Sequence, residues 1–207
     1  GYTASELSIR ETVDGSVIST SHVNPDGVIT NAIDMGYATV CRMQDDDDRV
    51  VEERYLDANG YPVARYENFH GLSYEYDETS TVIAYLDVEG NPIIRSDGYS
   101  TIVRTQVDGR AYDDFFYDLN GQQVQCSGGY YGLRRGYNAE GQDISLAFLD
   151  KDGHAVCTSS GYAIMTYQRD MNGTVVGKQY FDTDGNPVRS SLGKYGEFYQ
   201  RNEQGYT

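Results

Sequence analysis

The sequence predicts an all-β protein, a tandem array of β-hairpins stacked as an elongated β-solenoid. Three observations point there. A nine-residue phrase recurs at a nearly fixed period. Its Gly and Asx residues have the chemistry of tight turns. The segments between the turns are short and rich in Tyr, and none shows a sustained 3.6-residue apolar period. The phrase is an aromatic pair, then Asp-x-x-Gly, then often Pro and a branched aliphatic. It reads Tyr55-Leu56-Asp57-Ala58-Asn59-Gly60-Tyr61-Pro62-Val63 and returns at Tyr85 to Ile93, Phe116 to Val124, Phe148 to Val156 and Tyr180 to Val188. His22-Val23-Asn24-Pro25-Asp26-Gly27 is a weaker copy. The glycines Gly27, Gly60, Gly90, Gly121, Gly153 and Gly185 are 33, 30, 31, 32 and 32 residues apart. Self-similarity at this period is the mark of a repeat array, in which one unit is too small to fold alone. Six or seven units could also close into a β-propeller, the alternative architecture. The irregular third copy and the truncated last one favour the open array.

A second landmark lies half a period away. A Gly is followed by an aromatic or other residue at Gly1-Tyr2, Gly36-Tyr37, Gly71-Leu72, Gly98-Tyr99, Gly129-Tyr130, Gly161-Tyr162 and Gly193-Lys194-Tyr195. These divide residues 1–207 into units at about 1–35, 36–70, 71–97, 98–128, 129–160 and 161–192, with a partial unit at 193–207. Each unit reads as strand, turn, strand, turn, short strand. In the sixth, strands are predicted near 162–169, 174–181 and 187–189. A second turn sits at Asp14-Gly15, Asp108-Gly109, Asn138 to Gly141, Asp170 to Gly173 and Asn202 to Gly205. In the second copy Asp45-Asp46-Asp47-Asp48 replaces it, and in the third Glu78-Thr79-Ser80 shortens it. Asp or Asn opening a turn and Gly closing it fit a type I turn with the Asx side chain bonded to the backbone. The predicted core is the apolar set at equivalent points. It holds Val40, Ile102, Leu133 and Met165, then Leu56, Leu86, Tyr117, Leu149 and Phe181, then Val63, Ile93, Val124, Val156 and Val188.

Composition narrows the function. The chain has 20 Tyr, 23 Gly, no Trp and a formal charge of −16. Such acidity repels phosphate backbones and anionic leaflets, which argues against nucleic acid and membrane partners. There is no signal peptide or membrane span, and the abrupt opening on Gly1-Tyr2-Thr3 reads as a piece of a longer protein. Three Cys do not make a disulfide scaffold. Cys126 and Cys157 fall at nearly the same point of adjacent copies, so stacked copies would bring them close. A buried apolar role is the simpler expectation.

The Tyr180-Phe181-Asp182-Thr183-Asp184-Gly185-Asn186-Pro187-Val188 phrase resembles the cell-wall-binding and glucan-binding repeats of Gram-positive surface proteins. It is also similar to the repetitive receptor-binding regions of large clostridial toxins. The resemblance covers about residues 1 to 205. It implies hairpins stacked in a solenoid, a carbohydrate or cell-wall polymer as ligand, and a location outside a bacterial cell or on its surface. The unit here is longer, and the missing Trp weighs against a choline cage.

Candidate binding residues follow from the Tyr rows. Tyr37, Tyr99, Tyr130 and Tyr162 share one position, and Tyr55, Tyr85 and Tyr180 share another with Phe116 and Phe148. Aromatic faces suit the C–H faces of sugars, and phenol hydroxyls suit sugar hydroxyls. A row of weak sites would bind a polymer multivalently. The competing use of the same rings is cross-strand packing. No metal or cofactor is expected. Asp150-x-Asp152-Gly153 and Asp182-x-Asp184-Gly185 begin like calcium loops, but the distal Glu is absent and turn chemistry accounts for both. No catalytic residues are expected. His22, His70 and His154 are scattered, no nucleophile motif is present, and most polar residues are copies. The leading expectation is a non-catalytic repeat module that binds carbohydrate or cell-wall polymer. The alternative is a structural spacer or protein-interaction region of a larger surface or glycan-modifying protein.

Overall fold

The structure is a computed structural model that describes residues 2, 8–14, 16–65 and 68–199. The expected turn glycine Gly15, the landmark Gly1 and the last turn, Asn202 to Gly205, lie outside the described residues. All regular structure among the described residues is strand, and no helix occurs there. The chain divides into two compact units, Gly1–Val103 with Tyr117–Gly121, and Arg104–Phe116 with Gln122–Thr207.

In the first unit, β1 (Ser8–Asp14), β2 (Val17–Val23), β3 (Thr39–Gln44), β4 (Val50–Leu56), β5 (Gly71–Tyr76) and β6 (Ser80–Leu86) are hydrogen-bonded in chain order. β7 (Thr101–Val107) and β8 (Arg110–Tyr117) carry residues of both units. In the second unit, β9 (Gly132–Tyr137), β10 (Asp143–Leu149), β11 (Ile164–Arg169), β12 (Val175–Phe181) and β13 (Gly196–Phe198) again follow chain order. The pairing is antiparallel both inside a hairpin (β3 with β4) and from one hairpin to the next (β4 with β5). Six strands in an unbroken ladder within the first unit make an open hairpin array. A propeller would interrupt it after each four-stranded blade.

The Asp-x-x-Gly phrase is the turn that leaves each hairpin. Asp57 Oδ1 accepts the Asn59 and Tyr61 amides at 2.8 and 2.9 Å, and the Gly60 N–H donates to the Asp57 carbonyl at 3.0 Å. Asp182 repeats the pattern with Asp184 and Asn186. Gly60 has φ +84°, a left-handed conformation that costs glycine nothing and L side chains a good deal. The Asp45 to Asp48 run is the same turn. Asp45 Oδ1 accepts the Asp47 and Arg49 amides, and Asp48 takes the glycine's place at φ +61°. The run is therefore a folded Asx turn rather than a displaced one.

After the first turn the chain does not form the expected short strand. It makes one bridge, such as Leu56 to Pro62 or Phe181 to Pro187, then turns again. The second turn closes with the Gly98 N–H on the Arg95 carbonyl and the Arg95 N–H on the Tyr99 carbonyl. Asn68 fills the glycine position of this turn in the third copy, at φ +66°. That moves the landmark: the counterpart of Tyr37 is Phe69, not Leu72. In the first copy Ser8 pairs Val23 as Thr39 pairs Leu56, so Tyr2, six residues before Ser8, is not the counterpart of Tyr37, two before Thr39. Tyr2 instead bridges Ala32.

The predicted core is present and unequal. Val40, Ile102, Leu86 and Leu149 are buried, while Leu133, Met165 and Val63 are half-buried. Val40 sits opposite Tyr55, Leu133 opposite Phe148 and Met165 opposite Tyr180, each an aliphatic–aromatic cross-strand pair on one face.

The turn Asp groups carry a pH dependence. Backbone amides on Asp57, Asp87, Asp150 and Asp182, led by the residue four positions on, hold these carboxyls below the usual carboxylate range. A carboxyl lowered on folding stabilises fully above its unfolded value of about 4, and loses that contribution as pH falls through the folded value. The melting temperature is expected to hold from pH 7 to about 5 and to drop below about 4. Asp182→Asn should leave the pH 7 value unchanged, because Asn24 already serves this turn through its own Oδ1. Asp182→Ala should lower it. Thermal melts of the two variants check both.

Candidate functional site

The two Tyr rows meet as one ladder in each unit. The second strand of a hairpin supplies one ring, and the turn entering the next hairpin supplies the next. In the first unit His22, Tyr37, Tyr55, Phe69, Tyr85 and Tyr99 follow one another with ring centroids 5.8, 5.0, 5.9, 5.0 and 5.8 Å apart. In the second, Phe116, Tyr130, Phe148, Tyr162 and Tyr180 follow at 5.9, 4.8, 5.8 and 4.3 Å. Most steps are tilted or edge-on, the arrangement that the ring quadrupole favours. Tyr55, Tyr85, Tyr99 and Tyr180 are 2, 8, 6 and 4% exposed, and Tyr37, Tyr130 and Tyr162 are half-buried. All seven candidate residues thus stand in the ladder, each packed against neighbouring rings.

The hydroxyls of Tyr55, Tyr85 and Tyr99 are engaged as well. The Tyr55 hydroxyl donates to Glu53 Oε2 at 2.9 Å. Arg95 Nη1 donates to the Tyr85 and Tyr99 hydroxyls at 3.0 and 2.8 Å, its guanidinium lies over both rings, and it pairs with Asp97 at 2.8 Å. Arg65, one copy earlier, lies over Tyr37, Tyr55 and Phe69. Burial pushes the Tyr55 and Tyr99 phenols above their ordinary value.

Two residues along the strand, the same face becomes ionic. Asp114, 2% exposed, accepts Arg104 Nε and Nη2 at 2.7 and 2.9 Å and Arg135 Nη2 at 2.9 Å. Burial raises its carboxyl, and the hydrogen bonds from Arg104 and Arg135 outweigh burial and leave it lowered. Asp113 is held by both ends of the Arg134 guanidinium.

The opposite face carries two notches at equivalent places in the first unit. One, about 240 Å³, is lined by Arg54, Tyr55, Leu56, Pro62, His70 and Val88. The other, about 470 Å³, is lined by Val82, Pro92, Ser100, Val103, Tyr117 and Leu119, together with Thr101, Asp118 and Gly121. Ser100 Oγ and His70 Nδ1, at the same repeat position, are buried with no hydrogen-bond partner. Sequence reasoning missed these notches, since their walls come from a Pro in one turn and an aliphatic in the next. It also missed Phe69 and His22 as members of the ladder. His22 was legible as the residue two before Asn24, the place Tyr55 holds before Asp57.

The remaining candidates separate. Cys126 is buried and Cys157 exposed, and both are free. The turn hydrogen bonds align Cys126 with Thr158, so Cys157 is one residue out of step with it. Among the described residues no group of His, Cys, Asp or Glu is placed to hold a metal ion, and no helix is long and apolar enough to cross a membrane. His154 is exposed and lies 3.8 Å from Asp150 of its own turn. Comparison of the sequence with protein-family models and with curated proteins finds no match.

Tyr85→Ala should cost about 3–5 kcal/mol, the range for truncating a large core aromatic. Tyr85→Phe keeps the ring and should cost about 1 kcal/mol through the lost Arg95 hydrogen bond. Asp114→Asn removes the buried carboxylate that Arg104 and Arg135 share and should cost about 3 kcal/mol. Denaturant titrations of the three variants check this order.

Proposed function

We propose that this chain is a non-catalytic repeat module that serves as a scaffold or spacer, presenting its turns to partners within a larger surface or glycan-modifying protein. The supporting observation is the aromatic ladder. The rings that would have formed a sugar platform pack mostly tilted or edge-on against one another, and the phenols of Tyr55, Tyr85 and Tyr99 are bonded within the protein. Aromatic surface used this way joins copies together and gives an ordered row of turns.

A second reading, binding of a carbohydrate or cell-wall polymer outside a bacterial cell, is favoured by rings that stand outside the ladder. Tyr61 and Tyr195 are 69 and 54% exposed, and Tyr61 sits in the turn beside Pro62. Both are more exposed than any ring of the ladder, which favours access of a sugar face there.

A glycan array and a pull-down on purified cell walls separate the readings. The scaffold reading expects no retention above background. Retention that disappears in Tyr61→Ala or Tyr195→Ala, with an unchanged melting temperature, overturns it in favour of polymer binding. Tyr99→Ala and Tyr130→Ala are unsuited to this test, because they report on folding.

A further inference from the structure

The notches follow a rule that one residue position sets. Three residues before each turn Asx stand Ser21, Arg54, Ala84, Phe115 and Ala147. Each precedes, by one copy, the turn glycine Gly60, Gly90, Gly121, Gly153 and Gly185. Where that residue is large, it covers the next glycine. A Cβ on Gly90 would lie 2.6 Å from Arg54 Nη2, and one on Gly153 would lie 3.8 Å from Phe115 Cζ. Where it is small, the space is open. A Cβ on Gly60, Gly121 or Gly185 would meet nothing within 4 Å.

Arg54 shows what fills such a notch. Its stem crosses Gly71, where a Cβ would come within 2.9 Å of Arg54 Cδ. Its Nη1 donates to the Asp87 carbonyl at 3.0 Å, the same oxygen that takes the Gly90 amide in the turn. One copy later Ala84 replaces Arg54 and Thr101 replaces Gly71. The notch there is the larger, about 470 Å³ against 240 Å³. Its carbonyl counterpart is that of Asp118, which takes the Gly121 amide at 3.1 Å. Pro92, Val103 and the exposed Leu119 give apolar walls, and the unpartnered Ser100 hydroxyl lines the same space.

We propose that the notch between the Pro92 and Asp118 turns takes an arginine side chain from a basic segment of a partner protein. The stem lies against Pro92 and Leu119, and the guanidinium sits over Gly121 on the Asp118 carbonyl, as Arg54 does within the chain. A formal charge of −16 draws a basic segment toward these turns. The planar guanidinium, with five donors and weak hydration, suits a half-apolar notch better than a lysine ammonium does. The proposal rests on the scaffold reading and gives it a partner chemistry.

The test is an NMR titration of the isotope-labelled chain with a capped Gly-Ser-Arg-Ser-Gly peptide and with versions carrying lysine or citrulline in place of arginine. Expected are saturable shifts of the Leu119, Asn120 and Gly121 amides, with binding at least about tenfold weaker for lysine and citrulline. Ala84→Arg combined with Thr101→Gly copies the Arg54–Gly71 pair, fills the notch from within and should abolish the shifts. If that double variant does not fold, Leu119→Lys at the exposed rim serves instead. The proposal is overturned by absent shifts, by equal binding of the lysine peptide, or by undiminished binding to a folded filled variant. Shifts of these amides by a cell-wall oligosaccharide and not by the arginine peptide overturn it too, and overturn the scaffold reading with it. Failure with arginine alone leaves the scaffold reading to its own glycan test.

Discussion

Each hairpin leaves an aromatic ring that it cannot cover by itself, and the rest of the fold depends on that shortfall. Tyr55 ends a hairpin with one face open. Tyr37, from the turn before, and Phe69, from the turn after, close it. A buried ring of this size is worth a few kcal/mol, and edge-to-face contact adds to that. Only an array captures it, because the closing rings belong to the connections between hairpins. The two turns in each connection exist to bring the chain back at the height where the next ring fits. The ladder also accounts for part of the Tyr-rich composition. Tyr has the ring for the stack and a hydroxyl that can reach the ionic part of the same face, as Tyr55 does at Glu53.

Much of the fold was legible because its strongest constraints are local. A left-handed turn residue calls for Gly, and an Asx oxygen that holds two amides calls for Asp or Asn. Both recur in the sequence at the right spacing. The errors came where a second residue type met the same constraint. Asn68 takes the left-handed position that Gly36 and Gly98 take elsewhere, so the third copy was placed three residues late and Phe69 was overlooked. Asp48 does the same in the second copy, where the run Asp45 to Asp48 read as a replacement for the turn. The short third strand was read from a Pro and a β-branched residue, yet a second turn begins too soon after it for more than one bridge.

The site was less legible, for a different reason. Repetition in sequence marks what every copy needs, and every copy needs its turns and its rings. The repeated Tyr positions, read as candidate ligand residues, are also the ones that pack in the ladder. Tyr61 illustrates the contrast. It follows the turn glycine, where the other copies carry Val28, Asn91, Gln122, His154 and Asn186, and it is exposed because nothing in the array requires a ring there.

Individuality in such an array belongs to positions that vary from copy to copy without disturbing the ladder. The residue three before the turn Asx lies on the face opposite the rings, so it is free to change. Its cross-strand partner records the change: Arg54 and Phe115 face Gly71 and Gly132, whereas Ala147 faces Ile164. A bulky side chain is matched by a glycine, and a small one by a side chain with its own volume. This pairing lets one copy close its notch and another leave it open on an unchanged backbone. Equal copies would give a polymer of equal sites. Paired substitutions on the outer face instead give a row of turns that differ from copy to copy. The array therefore uses one face to hold its copies together and the other to make them distinct.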